Sequence, residues 1–116
     1  YQRVRLARSL AQEAQTVLLD EPVAHLDLVH GQSVLRRVRQ LNRERGVTVM
    51  AALHNLNFAS VYFDRIILLV SGRIIADGPP KDILVPAVLE PAFGGRLATI
   101  AHPQTAVPQI LPYAGE

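Results

Sequence analysis

Apolar positions change period several times along the chain, and each change marks an element. Residues 2–14 place Val4, Ala7, Leu10, Ala11 and Ala14 at spacings of three and four, with arginines and polar residues mostly elsewhere. That spacing predicts an amphipathic helix. Thr16-Val17-Leu18-Leu19-Asp20 is a short apolar run closed by acids and Pro22. Being apolar on both faces, it suits a buried strand of a parallel sheet. Asp27 is placed to cap a helix over 28–44, in which Val34, Leu35, Val38 and Leu41 keep the helical period and Gly46 is the stop. Residues 47–53 predict a second buried strand, 55–62 a short helix, and 66–70 with 73–76 two strands joined at Ser71-Gly72. Gly78-Pro79-Pro80 breaks the chain before two short helices at 81–84 and 86–93. After Gly94-Gly95, residues 97–101 and 107–111 suit a β-hairpin whose second strand Pro108 confines to an edge.

The order strand, long helix, strand is a βαβ unit and predicts an α/β domain with a right-handed crossover. In such sheets polar chemistry collects beyond the carboxyl ends of the strands. Asp20 and Glu21 follow the first strand and His54 follows the second, so all three are expected on one edge. A carboxylate at Asp20 suits Mg²⁺, which takes oxygen ligands and keeps much of its water. Glu21 is placed to polarise a water aimed at a phosphate, and His54 to donate to a phosphate oxygen. The plainer alternatives are two acids that merely end a strand and a histidine satisfied by a loop carbonyl. Asp27 has its own simple role as the helix cap. His25 and His30 lie five residues apart, a spacing that does not bring two side chains to one helix face, so a metal cluster there is not expected. Arg36, Arg37, Arg39, Arg43 and Arg45 are the one basic concentration. Without interleaved aromatic residues for base stacking they read as a solvated helix back, and no nucleic-acid partner is expected.

Composition narrows the classes further. The 116 residues hold 12 Lys+Arg against 10 Asp+Glu, for a net charge of +2, and no cysteine. The absence of cysteine excludes a disulfide scaffold and a thiol nucleophile. No run approaches the ~18 apolar residues of a bilayer-spanning helix. The one lysine, Lys81, follows Pro80, so the phosphate-cradling pattern G-x-x-x-x-G-K-[ST] is missing from these residues. The sequence begins at Tyr1, already inside a helical pattern, and is expected to be a piece of a longer protein.

Taken together, the segments resemble the C-terminal half of an ABC transporter ATP-binding subunit. Residues 1–10 are similar to the helix that follows that family's LSGGQ signature. Val17-Leu18-Leu19-Asp20-Glu21-Pro22 matches the Walker B strand, Val23-Ala24-His25-Leu26-Asp27 resembles the D-loop, and Leu53-His54-Asn55-Leu56 matches the H-loop. The stretch from Asp64 through Gly72-Arg73-Ile74 to Asp77-Gly78 resembles the hairpin region after it. The resemblance covers residues 1–93, taken as the C-terminal part of the nucleotide-binding domain, with 94–116 as a tail and possible hairpin. It implies the C-terminal part of a RecA-like P-loop NTPase core, mostly parallel sheet with flanking helices. It also implies ATP and Mg²⁺ as cofactors, with Asp20 holding the metal through water, Glu21 as general base and His54 as the switch at the γ-phosphate. Leu26 and Asp27 would couple two ATP-binding subunits across a head-to-tail dimer. The implied partners are that second subunit, membrane permease subunits and, indirectly, a substrate-binding protein. The implied location is peripheral, on the cytoplasmic face of the membrane.

Asn55 departs from the Asp common after the switch histidine, and Val23 and His25 replace the usual Thr and Ala of the D-loop. The first change puts a local hydrogen bond in question. The run Leu53 to Ala59, with a tail from His102-Pro103 to Pro108-Gln109-Ile110-Leu111-Pro112, resembles importers of iron-siderophore, haem and corrinoid complexes. The competing expectations are an ABC ATPase without a permease, acting on nucleic acid or ribosomes, and an inactive truncated remnant. Without a P-loop or signature, residues 1–116 alone are expected neither to bind ATP tightly nor to hydrolyse it. They are also expected to expose apolar sheet surface and to be poorly soluble.

Overall fold

The computed structural model describes residues 15–115. The helix expected over residues 2–14 lies outside them. The chain divides after His54 into two compact units.

The first unit holds β1 (Thr16–Asp20), α1 (Leu28–Arg45) and β2 (Thr48–Ala52). β1 and β2 pair in parallel, Thr16 opposite Thr48 through to Asp20 opposite Ala52. α1 begins where the Asp27 carboxylate accepts the His30 N–H at 2.8 Å. It stops at Gly46, whose φ of 66° supplies the left-handed turn that ends helices and is cheap only without a Cβ. The Asn42 side chain then donates to the Val47 carbonyl at 2.6 Å, tying the helix end to the entry of β2. Val17, Val38 and Val47 form the buried cluster, with Leu19, Leu41 and Val49 packed around it.

The alternation within β1 departs from the expected strand buried on both faces. Val17 is buried, whereas Leu18 is 71% exposed and its register partner Met50 is 60% exposed. Successive strand residues point to opposite faces. Among the described residues of this unit one helical layer is present, so one face is covered and the other is open.

The second unit holds α2 (Leu56–Tyr62), β3 (Ile66–Val70), β4 (Arg73–Gly78), α3 (Pro80–Ile83), α4 (Pro86–Phe93), β5 (Leu97–Ala101) and β6 (Pro108–Pro112). β3 pairs antiparallel with β4, and β5 with β6. Asn55 caps α2, its Oδ1 accepting the Phe58 N–H at 3.0 Å, so the amide makes the local bond that the absent Asp had put in question. Leu84 and Leu89 are fully buried among Ile66, Leu68 and Ile83, and Leu56, Leu97 and Ile110 close around them. Proline opens both α3 and α4 in the first turn, where a missing N–H costs nothing.

Candidate functional site

The parallel register decides where the polar residues fall. The Glu21 N–H donates to the Ala52 carbonyl at 2.9 Å, extending the ladder one residue past Asp20. The chain then turns sharply, with Glu21 itself at φ 47°. A residue bearing a side chain in the left-handed region costs on the order of 1–3 kcal/mol and persists where its surroundings hold it. This turn carries the Glu21 carboxylate back to the end of β2. There its Oε1 meets Nε2 of His54 in direct contact. Asp20 stands exposed one residue before, at the same edge.

The two strand ends therefore bring an acid and an imidazole into direct contact, with a second acid beside them. Neither partner is buried, so both are open to solvent. Such a pair suits water and phosphate together: the carboxylate accepts a proton, and the imidazole donates to an anionic oxygen. The exposed Asp20 offers oxygen alone, a donor set that fits a Mg²⁺ retaining most of its water. Among the described residues, no three His, Asp or Glu side chains gather to hold a metal ion by themselves.

Leu26 and Asp27 lie on the loop between this edge and α1, both exposed. His25 on that loop also has positive φ, 66°. The spacing of His25 and His30 concealed the contact His30 does make. Its Nδ1 sits 2.8 Å from each Asp27 carboxylate oxygen. The His30 backbone N–H first, and the ring after it, hold the Asp27 carboxyl below the ordinary aspartate value. An acid at a helix cap with histidine three residues on is the sequence signal for that contact.

No protein-family model matches the chain. Among solved structures, one described as an inward-facing ABC transporter of metal-chelate type superposes with a TM-score of 0.84 at 24% identity, over 97% of this chain and 45% of that one. An ATP-binding cassette solved as a dimer with ADP and Pi superposes at 0.61 with 35% identity, over 67% of this chain and 33% of that one. The fold is thus that of the C-terminal part of an ABC transporter ATPase domain, of the α/β P-loop NTPase class. In sequence the chain is 46% identical over 110 residues to the hemin import ATP-binding protein HmuV of Rhodococcus jostii. It is 40% identical over 111 residues to the ferric enterobactin transport ATP-binding protein FepC of Escherichia coli. These matches take in 95% and 96% of this chain but 37% and 41% of the relatives' lengths. The chain is homologous to ABC transporter ATP-binding subunits and spans about two fifths of them.

Proposed function

We propose that this chain is the C-terminal part of the ATP-hydrolysing subunit of an ABC importer that takes up haem, an iron-siderophore or a corrinoid complex. The observation that carries the reading is the meeting of Glu21 and His54 across two parallel strand ends, with Asp20 beside them. In this reading Glu21 is the general base that takes the proton of the attacking water. His54 donates to the γ-phosphate, and Asp20 holds Mg²⁺ through water. The metal supplies charge compensation for the phosphates, which with positioning is most of what phosphoryl transfer requires. Leu26 and Asp27 face a second ATP-binding subunit in a head-to-tail dimer. Membrane permease subunits, and through them a substrate-binding protein, complete the machine, which places the subunit peripherally at the cytoplasmic face. No helix among the described residues is long and apolar enough to cross a membrane. The importer assignment is supported by the hemin and enterobactin names of the relatives.

The phosphate-cradling loop is not in these residues, so the complete subunit must supply it from elsewhere in its chain. Residues 1–116 alone are expected to leave micromolar ATP unbound in calorimetry. In the complete subunit, Glu21→Gln keeps the shape of the site and removes the base. Turnover should fall at least about a hundredfold while nucleotide binding stays intact. Turnover near wild type in that variant would remove Glu21 from the role.

A further inference from the structure

We infer that Asn57 and Ser60 are positioning residues: they fasten the C-terminal hairpin to α2, and so hold the helix into which the main chain of His54 leads. The inference rests on the role proposed for His54. Asn57 and Ser60 stand three apart on α2, on one face of the helix. The Asn57 side chain imitates a neighbouring strand. Its Nδ2 donates to the Ile110 carbonyl at 3.2 Å, and its Oδ1 accepts the N–H of the same residue at 2.6 Å. One turn along, the Ser60 hydroxyl, 2% exposed, donates to the Pro108 carbonyl at 2.7 Å.

The edge they bind has a special composition. In an antiparallel pair, alternate residues turn their backbone groups away from the partner strand. His102 N–H donates to the Val107 carbonyl, which sets the phase, so Pro108, Ile110 and Pro112 are the residues of β6 facing outward from β5. Two of those three are prolines without an N–H. Ile110 carries the one backbone donor on that edge, and Asn57 takes it. An unpaired strand edge is an open template for pairing. Here the pattern P-x-I-x-P, met by N-x-x-S on the helix, occupies the edge's one donor and the carbonyls of Pro108 and Ile110.

The fastening is long-range, joining residues 53 and 48 positions apart in sequence. Its other end is local. Asn57 is two residues past Asn55, the α2 cap, which follows His54 directly. A change at the tail therefore reaches the first turn of α2 through two side chains and no intervening loop.

The test compares wild type with Asn57→Leu, which keeps the size and loses both bonds, and Asn57→Asp, which keeps the acceptor for Ile110. Hydrogen exchange at the Ile110 amide reads the fastening. The ring resonances of His54 read its position, and kcat and KM for ATP of the complete subunit read its effect. Asn57→Leu should speed Ile110 exchange at least tenfold, move the His54 resonances and lower kcat several-fold at unchanged KM, with Asn57→Asp recovering part of each. Free Ile110 exchange with unmoved His54 resonances and unchanged kcat would overturn the inference, as would an unprotected Ile110 in wild type. If Asn57→Leu does not fold, the same outcomes are read from Asn57→Asp and Ser60→Ala. A wild-type subunit that turns over no ATP, while its His54 resonances still answer to residue 57, would sink the proposed function and leave the fastening standing.

Discussion

Residues 15–54 and 55–115 are built on opposite plans. The first region lays one helix over one face of two parallel strands, leaves Leu18 and Met50 in the open, and carries Asp20, Glu21, Asp27 and His54 at its strand ends and loop. The second closes two hairpins and three short helices around Leu84 and Leu89, both fully buried, and carries none of the proposed catalytic groups. The difference is one of physical demand. On the proposed reading, strand ends that admit water and phosphate cannot also be packed, so that chemistry would sit on the sparser frame. Order in the segment after His54 comes from a core that performs none of it.

Opening the second core should disturb the molecule most. Leu89→Ala keeps α4 helical but empties a fully buried site, and buried Leu→Ala changes cost about 2–5 kcal/mol through lost transfer energy and the residual cavity. Exchange at the amides of β3, β4 and β5 should accelerate by about thirtyfold or more. A cost below about 1 kcal/mol would mean that this core is loose and that the two regions differ less than their packing indicates.

Much of this plan was legible in the sequence. The period-3.6 run after Asp27 and the stop at Gly46 located α1 to within a residue of its observed end, Arg45. Alternating breakers located both hairpins. The meeting of strand ends followed from the βαβ order alone, because a parallel crossover leaves no other edge for residues that follow β1 and β2. Three features were not legible. The open face of β1 looked the same as a covered one, because Val17, Leu18 and Leu19 are all apolar and burial depends on how many layers are present. The turn at Glu21 left no mark, since its positive φ falls on a residue type that rarely adopts it. The bonds from Asn57 and Ser60 to the tail join residues some fifty positions apart, beyond the reach of any local spacing rule.

At the surface, each region carries a carboxyl group that a neighbouring basic residue holds below its ordinary value, Asp27 in the first and Asp77 in the second. In the second region Arg65 grips Asp77 with two bonds, Nε to Oδ1 at 2.8 Å and the terminal nitrogen to Oδ2 at 2.7 Å. The Arg65 side chain holds the Asp77 carboxyl below its ordinary 3.8. A depressed folded value means that the stabilisation is present above 3.8 and is lost as pH falls through the folded value. Protection of the β3–β4 amides, taken relative to their intrinsic exchange rates, should therefore fall as the solution is taken from about pH 5 to below that value, and Asp77→Asn should flatten the response. The effect is modest because the pair is exposed and screened by salt. A pH response that persists in Asp77→Asn would move the acid sensitivity to another group, with Asp27 of the first region next in line, since His30 depresses it in the same sense.

The smallest expected effect bears on the open face itself. Leu18 and Met50 face each other across the parallel pair, on the side that α1 does not cover. Leu18→Thr replaces an exposed apolar residue with one that suits a strand equally well. In residues 1–116 at low concentration the melting free energy should change by no more than about 0.5 kcal/mol, as for other surface substitutions. Solubility should rise, because a contiguous apolar face invites association between copies. The same substitution in the complete subunit is the informative contrast. A loss there of about 2 kcal/mol or more, as for burying a polar group without a partner, would show the face covered by further chain. Such a loss in residues 1–116 themselves would show the face already occupied, and the contrast between an open frame and a closed core would fail at its first term.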